Sequence, residues 1–265
     1  RLKTVKLEDV KAVYKAMIGA AFAEGAVVGD FEPKEIGSQL NNLFANWKSV
    51  KSFERIAMPY REAKPDRVEI KTPDKANALF TLGMNLSIKD DDADFPALFM
   101  ANYIAGGSGN SRLINRIRQK EGLSYGVSSN LQASPHEPSA SFVIGGICAP
   151  ENATKALTCA REELEKLGKE GVTQEELDAA RKGFLEDMKV SLSNDAGVAG
   201  TLARNLYLDR TMKFLEDRVA KIQALKPADV TAAARKYLSP DKLVVVYAGD
   251  LDKKPGEAPK TEDKK

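Results

Sequence analysis

The stretch Tyr103 to Ser129, YIAGGSGNSRLINRIRQKEGLSYGVSS, decides how the rest of the chain is read. It joins a Gly-rich turn (Gly106, Gly107, Gly109), a short basic helix over 111–121 and a strand opening at Leu123-Ser124-Tyr125. On a helical wheel at about 100° per residue, Leu113, Ile114 and Ile117 form a buried stripe. Arg118 falls just beyond its edge, while Arg112 and Arg116 point the other way. Gly122 suits a left-handed residue that stops the helix and turns the chain back. Strand alternation then sets Tyr125 on the face of Leu123 and Val127. Two readings fit this pattern. In one, Tyr125 is a core tyrosine with a satisfied hydroxyl and Arg118 a cation favoured by the helix C-terminus. In the other, a cation and a phenol converge on one point for chemistry.

Working outward, residues 78–88 alternate, with Ala78, Phe80, Leu82, Met84, Leu86 and Ile88 on one side, which predicts a sheet with one face on a core. The acidic run Asp90–Asp94 reads as N-cap and dipole partners of a helix to about Ala105. It is no calcium loop, because Phe95 stands where such a loop needs glycine and Ala101 where it needs glutamate. A strand at 139–148 pairs with 123–133 as an antiparallel hairpin. Helices follow at 151–168, 174–193, 197–210, 212–224 and 227–238, then a strand at 243–248 and a Lys-, Pro- and Glu-rich tail at 253–265 expected to be disordered. Before the central stretch, 7–19 and 33–47 carry helical patterns, 23–30 reads as a strand ending in Gly29-Asp30, and 48–66 as a linker.

Residues 6–32 (KLEDVKAVYKAMIGAAFAEGAVVGDFE) align without a gap on 226–252 (KPADVTAAARKYLSPDKLVVVYAGDLD), an offset of 220. Six of 27 positions are identical, where ordinary composition gives about two. Both segments read helix, strand, Gly-Asp. An offset this long suggests a duplicated domain rather than a solenoid; the alternative is a coincidental match between two helix–strand–Gly-Asp units. Duplication divides the chain into 1–47, the end of a preceding homologous domain, a linker at 48–66, and a complete second copy at 67–252.

The bulk numbers narrow the chemistry. With 265 residues, 43% apolar and 29% charged, the chain can bury a substantial core. Forty basic against 38 acidic residues give a net charge of +2, too balanced to make nucleic acid or a membrane surface the default partner. There is no spanning apolar run and no signal-peptide pattern in the opening residues. Cys148 and Cys159 are too few for a disulfide framework and are expected as free thiols, Cys159 off the apolar stripe of its helix. The single histidine, His136, sits in the turn SPHEPS and is expected to be solvent-exposed. One imidazole cannot build a two-histidine zinc helix. GGSGN (106–110) lacks the final glycine of a nucleophile elbow and the G-K-[ST] of a phosphate loop.

With these residues in view, the central stretch resembles the second-domain signature of the pitrilysin/insulysin family of zinc metallopeptidases, which includes mitochondrial processing peptidase. The Gly-rich turn followed by Ser111-Arg112-Leu113, then Glu121-Gly122-Leu123-Ser124-Tyr125, and the Arg-x6-Tyr spacing of Arg118 and Tyr125 carry the resemblance. Supporting matches are Gly29-Asp30, the helix to Leu43-Phe44-Ala45-Asn46-Trp47 and the second domain to Asp250. The resemblance implies an α+β two-layer sandwich of the LuxS/processing-peptidase-like metallohydrolase fold, an antiparallel-rich sheet with helices on one face. It implies that Arg118 binds a substrate backbone carbonyl and that the Tyr125 hydroxyl stabilises the oxyanion of the tetrahedral intermediate. The helix standing where the family carries its metal motif reads Pro96-Ala97-Leu98-Phe99-Met100-Ala101-Asn102-Tyr103, without ligands or base. The expectation is a non-metal half with no cofactor of its own, zinc on a homologous partner domain or subunit, and a peptide or unfolded polypeptide as substrate. The alternative is an inactive scaffold or peptide-binding subunit of the same fold. A periplasmic location follows by family analogy alone.

Overall fold

The computed structural model describes residues 2–73, 75–250 and 252. The expected tail at 253–265 lies outside the described residues. The chain divides into two compact units, one of Arg1–Ala57 with Glu186–Asp217, the other of Met58–Leu185 with Arg218 onward.

The second unit is built on a five-stranded sheet in the order β1-β5-β2-β4-β3. Its strands are β1 (Asp66–Lys71), β2 (Ala78–Leu86), β3 (Ser124–Ala133), β4 (Ala140–Cys148) and β5 (Val244–Gly249). Only the β1–β5 pair is parallel. Along β2 buried and open residues alternate, as the apolar spacing predicts, and Phe80, Leu82, Phe142 and Ile144 are fully buried on one face. Burying each such side chain contributes about 1.5–3 kcal/mol. That face is covered by helices α3 (Phe95–Asn102), α4 (Ala153–Lys169) and α8 (Pro227–Tyr237), with the first part of α5 (Gln174–Leu192) adding Leu177 to the core. The result is the two-layer α+β arrangement expected from the sequence.

Strand β1 is invisible in the apolar pattern because every one of its residues is exposed. It holds its place through backbone pairing with β5, from Asp66 opposite Val244 to Lys71 opposite Gly249. The acidic run also behaves differently from expectation. Asp94 makes no side-chain cap on α3; its Oδ2 accepts from Lys236 Nζ at 2.7 Å and Tyr237 Oη at 3.0 Å, tying α3 to α8. Asp94 still stands at the N-cap position, where its backbone carbonyl accepts the Leu98 N–H at 3.0 Å, while its carboxylate is taken by the two groups of α8. Cys159 is buried, not off the stripe, so the apolar face of α4 is wider than the sequence reading drew it. Both cysteines are free, and burial pushes the Cys148 thiol up to about 11, which removes it as a nucleophile at neutral pH.

The first unit holds α1 (Leu7–Met17), α2 (Pro33–Phe44), the end of α5, α6 (Asp195–Tyr207) and the start of α7 (Lys213–Ala224). The strand expected at 23–30 does not form, and among its described residues this unit contains no strand at all. Strands exist as paired elements, and residues 23–30 pair with no other strand among the described residues. Aromatic pairs Tyr14–Trp47, Phe44–Trp47 and Phe22–Phe53 lie at 6.5, 6.0 and 5.8 Å between ring centroids. Even so, α1 and α2 bury no residue.

Candidate functional site

Helix α3 does not stop at the glycines. It continues as a π-helical turn, Tyr103–Gly107, before the chain bends at Ser108–Asn110. Gly106 is therefore a close-approach residue rather than a turn former: a Cβ there would meet the Ser129 backbone nitrogen at 2.6 Å and Leu113 Cδ1 at 2.7 Å. Beside it, Ser129 Oγ donates to Asn102 Oδ1 at 2.8 Å, fixing α3 to β3.

The basic helix that follows is helical from Arg112, and Ile114–Lys120 is π-wound. Glu121 N–H donates back five residues to the Arg116 carbonyl at 3.1 Å, and Leu123 N–H donates to the Ile117 carbonyl at 2.9 Å. Leu113 and Ile117 are buried, as the wheel predicts. Gly122 has φ of 62°, the left-handed conformation expected of it.

The three arginines of this helix have different fates. Arg112 forms a two-pronged pair with Glu176, at 2.7 Å to each oxygen, and also donates to the Gly171 carbonyl. Arg116 is held by Glu121 and Glu162, and Lys155 and Arg116 together hold the Glu121 carboxyl below the usual glutamate range. Arg118 is exposed and makes no hydrogen bond or ion pair among the described residues.

Tyr125 is 73% exposed, which overturns its placement on the face of Leu123 and Val127. The cause is a β-bulge: Ser124 stands opposite Cys148 and Gly126 opposite Ile147, so Tyr125 has no residue across from it. One extra residue reverses the side on which a side chain emerges. The core-tyrosine reading is thereby excluded. Arg118 and Tyr125 stand on the two arms of the Gly122 turn, both open, with no hydrogen bond joining them. A cleft of about 480 Å³ nearby is walled by Tyr103, Asn110, Arg112, Asn115 and Glu176, and neither Arg118 nor Tyr125 lines it.

No described residues form a group of three or more His, Cys, Asp or Glu side chains able to hold a metal. Seven of the eight residues of α3 are buried, and none of the eight offers a metal donor set, so zinc does not fit this helix. His136 is exposed in its turn. No described helix is long and apolar enough to cross a membrane.

The chain is similar to known proteins over much of its length. A crystal structure described as the peptidase M16 inactive domain from Pseudomonas fluorescens superposes with a TM-score of 0.71 at 28% identity, over 93% of this chain and 58% of that one. A non-peptidase homologue from Helicobacter pylori is 24% identical over 255 residues, 95% of this chain and 57% of its own length. An uncharacterised zinc protease of Streptomyces coelicolor is 26% identical over 172 residues, 65% of this chain and 37% of its own length. The chain thus spans little more than half the length of the relatives it matches most fully. The profile of the peptidase M16 inactive domain matches residues 4–184, and the chain belongs to that family, as an inactive peptidase domain of the M16 zinc proteases.

Proposed function

We propose that this chain is the substrate-binding half of a zinc-dependent endopeptidase, supplying Arg118 and Tyr125 to a site whose zinc and general base lie on a homologous domain or subunit. The observation that carries the reading is the display of these two side chains. In a helix whose other arginines are tied to carboxylates, Arg118 is left open, and Tyr125 is turned out of a strand that would otherwise bury it. Arg118 binds a backbone carbonyl of an extended peptide. The Tyr125 hydroxyl donates to the oxygen that gains negative charge as the peptide carbonyl becomes tetrahedral, where a fixed donor helps most. The partner's zinc, when present, polarises that carbonyl and its bound water.

The same proposal extends to the organisation of the chain. Residues 1–47 are the end of a preceding copy of the domain, 48–66 a linker, and 67–252 the second copy. Helices α1 and α8 support it, with the same length and the same first-turn bond.

The experiment is zinc analysis and a peptidase assay on the chain alone and with its metal-bearing partner. The chain alone binds no stoichiometric zinc and hydrolyses nothing; the combination does both. A second reading, an inactive peptide-binding scaffold, is favoured by the non-peptidase name of the Helicobacter pylori relative. It predicts no two-histidine zinc helix in the rest of the polypeptide or in a companion chain, and no hydrolysis by the complex.

A further inference from the structure

We infer that Ser124 is a positioning residue that keeps Tyr125 on the open side of the sheet. For its effect on turnover the inference rests on the reading of Tyr125 above; for the placement itself it rests on geometry. Simple alternation from Leu123 and Val127, both buried, puts Tyr125 in the core. The bulge prevents this, and the Ser124 side chain occupies the bulge. Its Oγ accepts from Gly126 N–H at 3.2 Å and lies 2.7 Å from the Ile147 carbonyl and 2.8 Å from the Gly126 carbonyl. A hydroxyl has one proton, which it gives to one of these carbonyls at a time. One side chain therefore bonds both the residue beyond the bulge and the neighbouring strand β4, across the break in register.

The glycine within the bulge does not explain it. Gly126 has no positive φ, and a Cβ on it would meet nothing within 4 Å. Ser124, itself buried, is the group that holds it. A second irregularity lies on the other side of Gly122, where the π-wound Ile114–Lys120 also contains more residues per turn than a regular helix. The two departures bracket one left-handed glycine, and the Ser124 hydroxyl is the identifiable polar lock on the one that turns Tyr125 outward.

The test is nitration of the purified chain by tetranitromethane, read tyrosine by tyrosine by mass spectrometry, with exposed Tyr14 and Tyr207 as internal references. In Ser124→Ala the Tyr125 rate falls several-fold relative to the references; in Ser124→Thr, which keeps the hydroxyl, it stays at the wild-type value. An unchanged rate in Ser124→Ala, or an equal fall in Ser124→Thr, overturns the inference. Should the alanine variant not fold, Ser124→Cys, similar in shape and weak in hydrogen bonding, takes its place with the same two outcomes. In complex with the metal-bearing partner, Ser124→Ala lowers kcat with KM little changed, and Ser124→Thr recovers it. Slowed nitration with normal turnover supports the positioning and contradicts the catalytic reading of Tyr125.

Discussion

Helices α1 and α8 are each 11 residues long and start the same way, with the aspartate three residues in accepting the backbone N–H of a lysine: Lys6 to Asp9 at 3.0 Å, Lys226 to Asp229 at 2.7 Å. From there they part. Val230 and Ala233 are 0% and 5% exposed, whereas Val10 and Val13, at the matching positions, are 54% and 62% exposed. Residues 244–249 form a strand paired on both sides; residues 24–29, matching them in the repeat, form none. Local sequence is enough to start and cap a helix, because those bonds lie within one turn. Burial and strand formation need a neighbour, and among the described residues 230–249 have one where 10–29 do not.

The largest expected effect tests that asymmetry in a matched pair. Val230→Asp places an unpaired charge in the core and costs about 4 kcal/mol or more of unfolding free energy, whereas Val10→Asp costs within about 0.5 kcal/mol. Urea denaturation measures both, and equal costs would break the comparison. Association sharpens it: the proposed organisation makes the Val10 face a contact with the preceding domain, so Val10→Asp weakens binding of the metal-bearing partner while leaving the chain's own stability intact.

Smaller effects come from the shared cap. Asp229→Ala costs about 1 kcal/mol of unfolding free energy and lowers the denaturation midpoint, because α8 is part of the core. Asp9→Ala removes the same bond from a helix that buries nothing, so it speeds hydrogen exchange in α1 and leaves the midpoint where it was. The smallest effect separates α1 from α8 by pH. Lys236 and Tyr237 hold the Asp94 carboxyl below its ordinary range, and the repeat puts Ala16 and Met17 at the matching places. A carboxyl depressed in the folded state adds stability above about pH 3.9, its unfolded value, and loses it as pH falls through the folded one. Asp94→Asn is therefore less stable than wild type near neutral pH, by about 0.5 kcal/mol for a partly exposed pair, and the gap closes on acidification below that range. A gap that persists in acid would show that the bond does not depend on the charge.

What the sequence revealed follows the same division. The alternation in 78–88, the hairpin, the late helices and the left-handed Gly122 are all encoded within a few residues of themselves, and each stands where it was expected. Strand β1 is not readable, because an edge strand with no buried face leaves no apolar period. Asp94 stands at the N-cap position as its place in the sequence predicts, but its side-chain partners are not readable because they lie 142 and 143 residues away. Tyr125 is the instructive case. Alternation assigned it to the core, and a single bulge, held by a serine that looks ordinary in sequence, reversed that assignment. The cue that a bulge belonged there was only the conflict between a pattern that buries Tyr125 and a resemblance that gives it a task in the open.

The account's central claim is that Arg118 and Tyr125 act on a peptide held against another domain's zinc. It is tested most directly by the kcat of the reconstituted or complete peptidase carrying Arg118→Ala or Tyr125→Phe, with denaturation midpoints measured alongside. Both side chains are exposed and bonded to nothing among the described residues, so the midpoints stay at the wild-type value. Loss of the Tyr125 donor lowers kcat by about 10²-fold, the scale of a single oxyanion donor, and loss of Arg118 lowers it substantially as well. Wild-type turnover in both variants would contradict the claim and leave a chain that has kept the fold and given up the chemistry.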